Sequence, residues 1–473
     1  MLYSLADLLD ALIGKRLNAS RMLIADAVID SRQVIPSALF IAIPGEQVDG
    51  HDYLSQSFSR GALAALIEKD VAGEFPTIDL RNSIPDDFTL PEPPFCLRVD
   101  NTLIALQQAA SFWRSQLAVD VVGITGSVGK STTKELVAEV LSRRFSTIKN
   151  LGNYNNEIGL PLTMLRMTRA TQVAILEMGF YIPGEIKFLC DIAQPRVGIV
   201  TNVGTVHAER AGSQENIARG KAELVESLPS SPEGIAILNR DDPWVCWMED
   251  KTRATVLTYS QQSEAHITAR DIIGLGLDGI EFTLRYGQRS HRLHVPLIGK
   301  HSVLTVLRAA AAGFAFNLTW EEIIDGLQTS TAQLRLSAVQ SSHGAMILDD
   351  TYNAAPESTM AALDLLFEIP GRRIAVLGDM LELGPYEKTG HEWVGARAAK
   401  VADQLIAVGP RARMIAESAL AAGMPVTAVA CVDAVPQAID VLKSILGEGD
   451  VVLIKGSHGL RMDRIVREIE ATG

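Results

Sequence analysis

Short apolar runs rich in valine and isoleucine recur along this chain, and each ends abruptly in polar residues. Val119 to Ile124 reads as a buried strand, followed by a glycine-rich turn and a helical run. Val173-Ala-Ile-Leu176 ends at Glu177, and Val197-Gly-Ile-Val200 at Thr201 and Asn202. Ile235-Ala-Ile-Leu238 ends at Asn239, Arg240, Asp241 and Asp242. Farther on, Ala345-Met-Ile-Leu348 precedes Asp349 and Asp350, Arg373-Ile-Ala-Val-Leu377 precedes Gly378 and Asp379, and Val451-Val-Leu-Ile454 precedes Lys455, Gly456 and Ser457. Helical patterns separate these runs, which predicts α/β domains with mainly parallel sheets. Ligands of such sheets sit beyond the carboxyl ends of the strands, so the polar endings predict a shared functional rim. Leu5, Leu8, Leu9, Leu12 and Ile13 have helical spacing, interrupted by Asp7 and Asp10. No basic segment precedes them, so they read as an amphipathic helix and not a signal peptide.

The chain has 473 residues, room for about three domains at ~150 residues each. The pattern divides it into residues 1–116, with a proline-rich loop from Pro85 to Pro94, then 117–330 and 331–473. A balance of 43 basic against 56 acidic side chains, net −13, argues against nucleic acid and anionic membranes as partners. No apolar run approaches the ~18 residues of a membrane span. Cys96, Cys190, Cys246 and Cys431 are far apart and lack metal or disulfide spacing, which suits reduced thiols of a cytoplasmic protein.

The chemistry concentrates in Val121-Val-Gly-Ile-Thr-Gly-Ser-Val-Gly-Lys-Ser-Thr-Thr-Lys134. Gly126 and Gly129 let backbone N–H groups approach phosphates, and the helix that follows points its positive end at them. Lys130 would neutralise the outer phosphates, and the Ser131 hydroxyl would hold Mg²⁺. The full P-loop pattern fails, because its first glycine falls at Ile124; the shorter G-x-x-G-K-[ST] stands. Glu177, at a strand end, is either a Mg²⁺ ligand or a cap. His207 and Lys221, taken singly, read as ordinary structural and solvated residues, and Asn239 and Asp242 as turn residues.

Together these segments resemble the ATP-dependent Mur ligases over nearly the whole chain. The resemblance rests on Asp30-Ser-Arg32, Pro44-Gly-Glu-Gln-Val-Asp-Gly-His51, Thr125 to Lys134, Asn153-Tyr-Asn-Asn-Glu-Ile-Gly-Leu-Pro161, Leu176-Glu-Met-Gly179 and Pro183-Gly-Glu185. It continues through Asn202 to His207, Gly220-Lys-Ala-Glu223, Gly299-Lys-His301, Asp349-Asp-Thr-Tyr-Asn353 with Pro356, Leu377-Gly-Asp-Met-Leu-Glu-Leu-Gly384 and Lys455-Gly-Ser457. It implies a UDP-sugar-binding N-terminal α/β domain, a central P-loop ATPase and a mobile, Rossmann-like C-terminal domain. Within the family the chain looks most like the branch that joins D-alanyl-D-alanine to UDP-N-acetylmuramoyl-tripeptide through an acyl phosphate, a step of peptidoglycan precursor synthesis. That implies ATP, two Mg²⁺ ions and a cytoplasmic monomer. Two readings compete with it: a related ligase with another acyl donor and amine, and an ATP-binding regulatory protein without turnover.

Family roles fall on matching residues. Lys130, Glu177, His207 and Lys221 are the implied catalytic set. Thr125, Gly126, Ser127, Val128, Gly129, Lys130, Ser131 and Thr132 are the implied phosphate cradle. Ser131, Glu177 and His207 would ligate Mg²⁺, with Lys221 joining them if it carries a carbamate. Asn239 and His301 resemble adenine- or ribose-side residues, and Arg335 and Asp350 residues that close over the nucleotide. Asn156, Tyr352, Asn353, Lys455 and Ser457 lie where the family handles the peptides. Ser31, Arg32, Asp49, Gly50 and His51 resemble the uridine-diphosphate grip. The family usually has asparagine where Ser302 and Thr305 stand, Asn-Ala-Asn-Pro where Asn353-Ala-Ala-Pro356 stands, and a small or amide residue at Val128. These departures touch contacts to adenine and the acceptor dipeptide, not the reaction class.

Overall fold

The computed structural model describes residues 3–16, 22–45, 47–71, 73–85, 88–329 and 337–470. They form two compact units, one of residues 1–123, 145–179 and 187–196, the other of 124–144, 180–186 and 197–473.

The first unit opens with helix Leu5–Ile13, which the sequence pattern predicts. Ser4 and Asp7 close a capping box at its start, and Gly14 ends it in the left-handed conformation. A five-stranded sheet follows in the order Ala27–Val28, Leu39–Ile41, Ala64–Ile67, Phe95–Arg98, Thr77–Asp79, with all pairings parallel. Its central strands Leu39–Ile41 and Ala64–Ile67 are apolar on both faces; Phe40, Ala65, Ile67 and Cys96 share a core with Val28, Val34 and Leu54. Burial pushes the Cys96 thiol up to about 12, so it is an inert core residue. Helix Thr102–Ser115, capped by Asn101, and the parallel pair Thr147–Lys149 and Val173–Glu177 belong to the same unit.

The second unit carries the glycine turn after strand Asp120–Thr125 and helix Lys130–Leu141. Strands Val197–Val200, Ile235–Asn239, Thr255–Ser260 and Ile267–Gly274 run parallel in that order. Two antiparallel strands, Ile280–Tyr286 and Arg289–Val295, extend them, an addition the sequence pattern did not reveal. Helix Ser302–Ala315 packs on helix Lys130–Leu141 through glycines. A Cβ on Gly313 would sit 3.1 Å from Val140 Cγ1, and one on Gly326, in helix Trp320–Gln328, 2.7 Å from Val140 Cα.

A six-stranded sheet completes this unit in the order Ser337–Gln340, Met346–Asp350, Asp450–Lys455, Arg372–Gly378, Gln404–Val408, Val429–Val432. Only the first pairing is antiparallel. Apolar clusters cover both faces. Register sets Asp350 opposite Lys455, and Lys455 opposite Leu377, so the acidic and basic strand ends meet at one rim. No helix among the described residues is long and apolar enough to cross a membrane.

Gly326→Val should lower the stability of the second unit by about 1–3 kcal/mol, because its side chain meets helix backbone that cannot yield. Urea unfolding followed by circular dichroism checks this, and an unchanged midpoint would contradict the close helix contact.

Candidate active site

The glycine turn is held from outside by the segment after strand Val197–Val200. The Thr201 N–H donates to the Thr125 carbonyl (2.9 Å), and its hydroxyl to the Val128 carbonyl (2.7 Å). Asn202 accepts twice, from Ser127 N–H at its carbonyl (3.0 Å) and from Val128 N–H at its side-chain oxygen (2.9 Å). Gly204 N–H donates to Ser127 Oγ (2.9 Å). A Cβ on Gly126 would lie 1.8 Å from Thr201 Oγ1, and its φ of +144° is one L side chains rarely adopt. Glycine is therefore required there. Two N–H groups of the implied cradle, those of Ser127 and Val128, serve this brace. Gly129, at φ +83°, turns the chain into the helix that begins at Lys130, with Ser131 and Thr132 in its first turn. The Lys130 ammonium donates to the carbonyls of Gly126 (2.7 Å) and Ser127 (3.3 Å).

Lys221 lies on helix Gln214–Glu226 and is fully buried; its Nζ has no hydrogen-bond partner. The ammonium position faces the Phe180 ring, 4.7 Å from the centroid. Burial, helped by the charge of Lys130, pushes its pKa well below the ordinary lysine value. His207 stands at φ +70°, and its Nδ1 is 2.6 Å from Glu382 Oε2. Glu382 is itself at φ +64°. Two strained residues thus pair with each other, a cost that marks functional positions. Burial lowers the His207 pKa, opposed by Glu382 and assisted by Lys130 and Lys221. The hydrogen bond from His207 holds Glu382 ionised, below the usual range. Nδ1–H is therefore the donor, which leaves Nε2 as the open nitrogen. Glu357, near Gly204 and Thr205, has its pKa raised by burial. The sequence reading passed over Thr201, Glu357 and Glu382 as functional positions. Thr201 carried a signal only as a polar strand ending, and Glu382 only as part of the Leu377–Gly384 motif.

In the first unit, Glu177 is 1% exposed. Asn155 Nδ2 donates to its Oε1 (2.9 Å), while Asn150 bonds its backbone N–H and carbonyl, each at 3.0 Å. The first of the paired asparagines before Ile-Gly-Leu-Pro thus aims this carboxylate. Asn156 instead caps helix Gly159–Leu165, accepting from Gly159 N–H (2.9 Å).

The remaining implied residues fall into separate groups. Asn239 is buried and accepts from Asp241 N–H (3.1 Å), and Asp242 ties Val203 N–H (2.9 Å) to the start of helix Pro243–Trp247. Lys455 donates to Asp350 Oδ2 (2.6 Å) and to the Asn353 carbonyl (2.9 Å). His301 feels these charges, and burial lowers its pKa. Ser457 Oγ accepts from Leu381 N–H (2.8 Å), and Tyr352 is exposed beside His458. Arg335 lies outside the described residues. In the first unit, Ser31 donates to Gln56 (2.7 Å), and Arg32 pairs with Asp30 (2.7 Å). Asp49 accepts from Lys69 (2.5 Å) and His51 (2.6 Å), which hold it far below the usual carboxylate range. His51 Nε2 accepts from Glu68 N–H (2.9 Å), and Gly50 packs against the Ala42 backbone, where a Cβ would come within 2.8 Å.

Among the described residues no group of three or more His, Cys, Asp or Glu could hold a metal ion by itself. Mg²⁺ suits a site where nucleotide oxygens supply most of its shell; within the second unit Ser131 and His207 are the side chains that could join it, while Glu177 is a carboxylate of the first unit. The orphaned Lys221 amine fits a carbamate, which forms on a neutral lysine.

Gly126→Ala should abolish ADP binding measured by calorimetry while the chain still unfolds cooperatively. Affinity equal to that of the unaltered chain would contradict the Thr201 brace.

Three family descriptions match the chain: "Mur ligase family, catalytic domain" over 24–86, "Mur ligase middle domain" over 124–313 and "Mur ligase, glutamate ligase domain" over 334–458. The UDP-N-acetylmuramoyl-tripeptide–D-alanyl-D-alanine ligase of Synechocystis is 36% identical, over 93% of this chain and 91% of its own length. MurF from Acinetobacter baumannii superposes with a TM-score of 0.83 at 27% identity, with 99% of both chains covered. MurF from Thermotoga maritima, solved in complex with ADP, gives 0.77 at 26% identity, covering 94% of this chain and 96% of that one. A braced glycine turn, a buried lysine and agreement along almost the entire length lead to one conclusion: the chain belongs to the Mur ligase family.

Proposed function

We propose that this chain joins D-alanyl-D-alanine to UDP-N-acetylmuramoyl-tripeptide at the expense of ATP, yielding the UDP-linked pentapeptide, ADP and phosphate. The observation that carries the chemistry is the gathering of Lys130, Lys221 and His207 near the braced turn, close enough that the charge of Lys130 adds to burial in lowering the pKa of both Lys221 and His207. Such a cluster suits a reaction between two anions. The tripeptide carboxylate attacks the γ-phosphorus, and ADP departs with the bridging oxygen. The dipeptide amine then attacks the acyl carbon, loses a proton, and inorganic phosphate leaves. Oxide is a hopeless leaving group and phosphate a good one, which is why the first step is needed. The Synechocystis relative carries this activity in its name, and that supports the choice of substrates.

Lys130 neutralises the outer phosphates from the start of the helix. Glu177 is aimed by Asn155 and kept from water. His207, oriented by Glu382, presents Nε2. Magnesium, when bound, supplies charge that lets carboxylate and phosphate approach. A carbamate on Lys221 would turn a buried amine into an anion able to orient such an ion. Asp350, Asn353 and Lys455, on the rim of the third sheet, lie in the same unit as the turn and are assigned to nucleotide closure and acceptor binding.

Phosphate release from ATP should require both substrates, and Lys130→Ala should abolish it in a folded protein. Release with one substrate alone, or a near-normal rate for the variant, would sink the assignment.

The Lys221 amine gives a pH test in carbonate-free buffer. Its folded pKa is depressed, so the unfolded chain binds its proton over a pH range where the folded chain does not. Stability from this residue therefore rises with pH towards the ordinary lysine value of 10.5. Lys221→Met should be inactive yet more resistant to urea, with the advantage shrinking between pH 7 and pH 9 as measured by denaturation. A destabilised variant at both pH values would contradict an unpartnered amine.

A further inference from the structure

Arg308 sits on helix Ser302–Ala315 and is 4% exposed. Its Nε donates to Tyr259 Oη (2.8 Å) and its Nη1 to Thr133 Oγ1 (2.8 Å), with a longer approach to Thr305 Oγ1 (3.5 Å). All of these partners are neutral. Among the described residues no carboxylate pairs with Arg308, and Nη2 has no protein acceptor. A buried guanidinium remains charged and costs free energy unless an anion balances it.

Its position says which anion. A Cβ on Gly129 would lie 3.1 Å from Nη1, so the guanidinium borders the turn that opens helix Lys130–Leu141. Thr133 belongs to the first turns of that helix. Tyr259, which anchors the other arm, donates to the Thr201 carbonyl (3.3 Å), and Thr201 braces the turn. Arg308 is thus fixed to both sides of the phosphate cradle. It also lies one helical turn beyond Thr305, on the stretch where Ser302 and Thr305 replace the amides expected of the family.

We infer that Arg308 is a nucleotide-binding residue, whose charge is balanced by the polyphosphate chain of the bound adenine nucleotide. The inference rests on the nucleotide reading of the Gly126–Ser131 turn. It assigns part of the nucleotide affinity to a buried fork behind Gly129, on the helix that carries Ser302 and Thr305.

Calorimetric titration with ADP tests it. Arg308→Met should bind ADP about tenfold or more weakly, the scale of a charge-assisted hydrogen bond. Its KM for UDP-N-acetylmuramoyl-tripeptide should stay within about twofold of the unaltered value. Should that variant fail to fold, Arg308→Gln decides, since it keeps a donor near Thr133 and removes the charge; the same loss is expected. ADP affinity unchanged in a folded variant, with only a lower melting temperature, would overturn the inference and leave Arg308 a brace. No ADP binding by the unaltered chain would overturn the nucleotide reading itself.

Discussion

The approach of Gly126 to Thr201 is the constraint on which the rest of the site depends. No side chain fits between them, because a Cβ would overlap the threonine hydroxyl. Once that contact is made, Thr201 and Asn202 hold the turn through four hydrogen bonds, and the helix from Lys130 is fixed in direction. The same segment continues through Gly204 to His207. The glycine turn proposed as the phosphate cradle and the histidine are therefore placed by one stretch of backbone, and strain at His207 is tolerated because its neighbours are pinned.

Electrostatics explains the unusual features that follow. Lys130 and Arg308 bring positive charge to a region where burial lowers the pKa of the Lys221 amine and Glu382 is engaged with His207. A buried amine without a partner and a buried guanidinium without a carboxylate both raise the energy of the free protein. On the proposed reading, anionic substrates relieve that cost, so that part of the binding energy is stored in the folded chain before ligands arrive. Glu382 comes from the loop after strand Arg372–Gly378, and its pairing with His207 links the third sheet to the site.

Much of this was legible in the sequence, because strands that end in polar residues are a local signal. Glu177, Asn239 and Asp350 each stand where their apolar run stops, and Lys130 follows the glycines at the expected spacing. The pairing of His207 with Glu382 was not legible, since 175 residues separate them and neither neighbourhood encodes the other. Arg308 was hidden by an otherwise alanine-rich helix, where one arginine reads as a solvated face. Lys221 followed a helical pattern that gives no hint of complete burial. At the N-terminal end the motif Asp49-Gly-His51 was visible, yet its side chains turn inward: His51 ties its turn to the backbone at Glu68, and Gly50 is demanded by Ala42.

The claim that unites these features is that the site activates a carboxylate by phosphorylation. It is tested most directly by supplying UDP-N-acetylmuramoyl-tripeptide with ¹⁸O in its terminal carboxylate, together with ATP and D-alanyl-D-alanine, and weighing the released phosphate by mass spectrometry. The account predicts one labelled oxygen transferred to phosphate for each pentapeptide formed. Pentapeptide formed with unlabelled phosphate would contradict it.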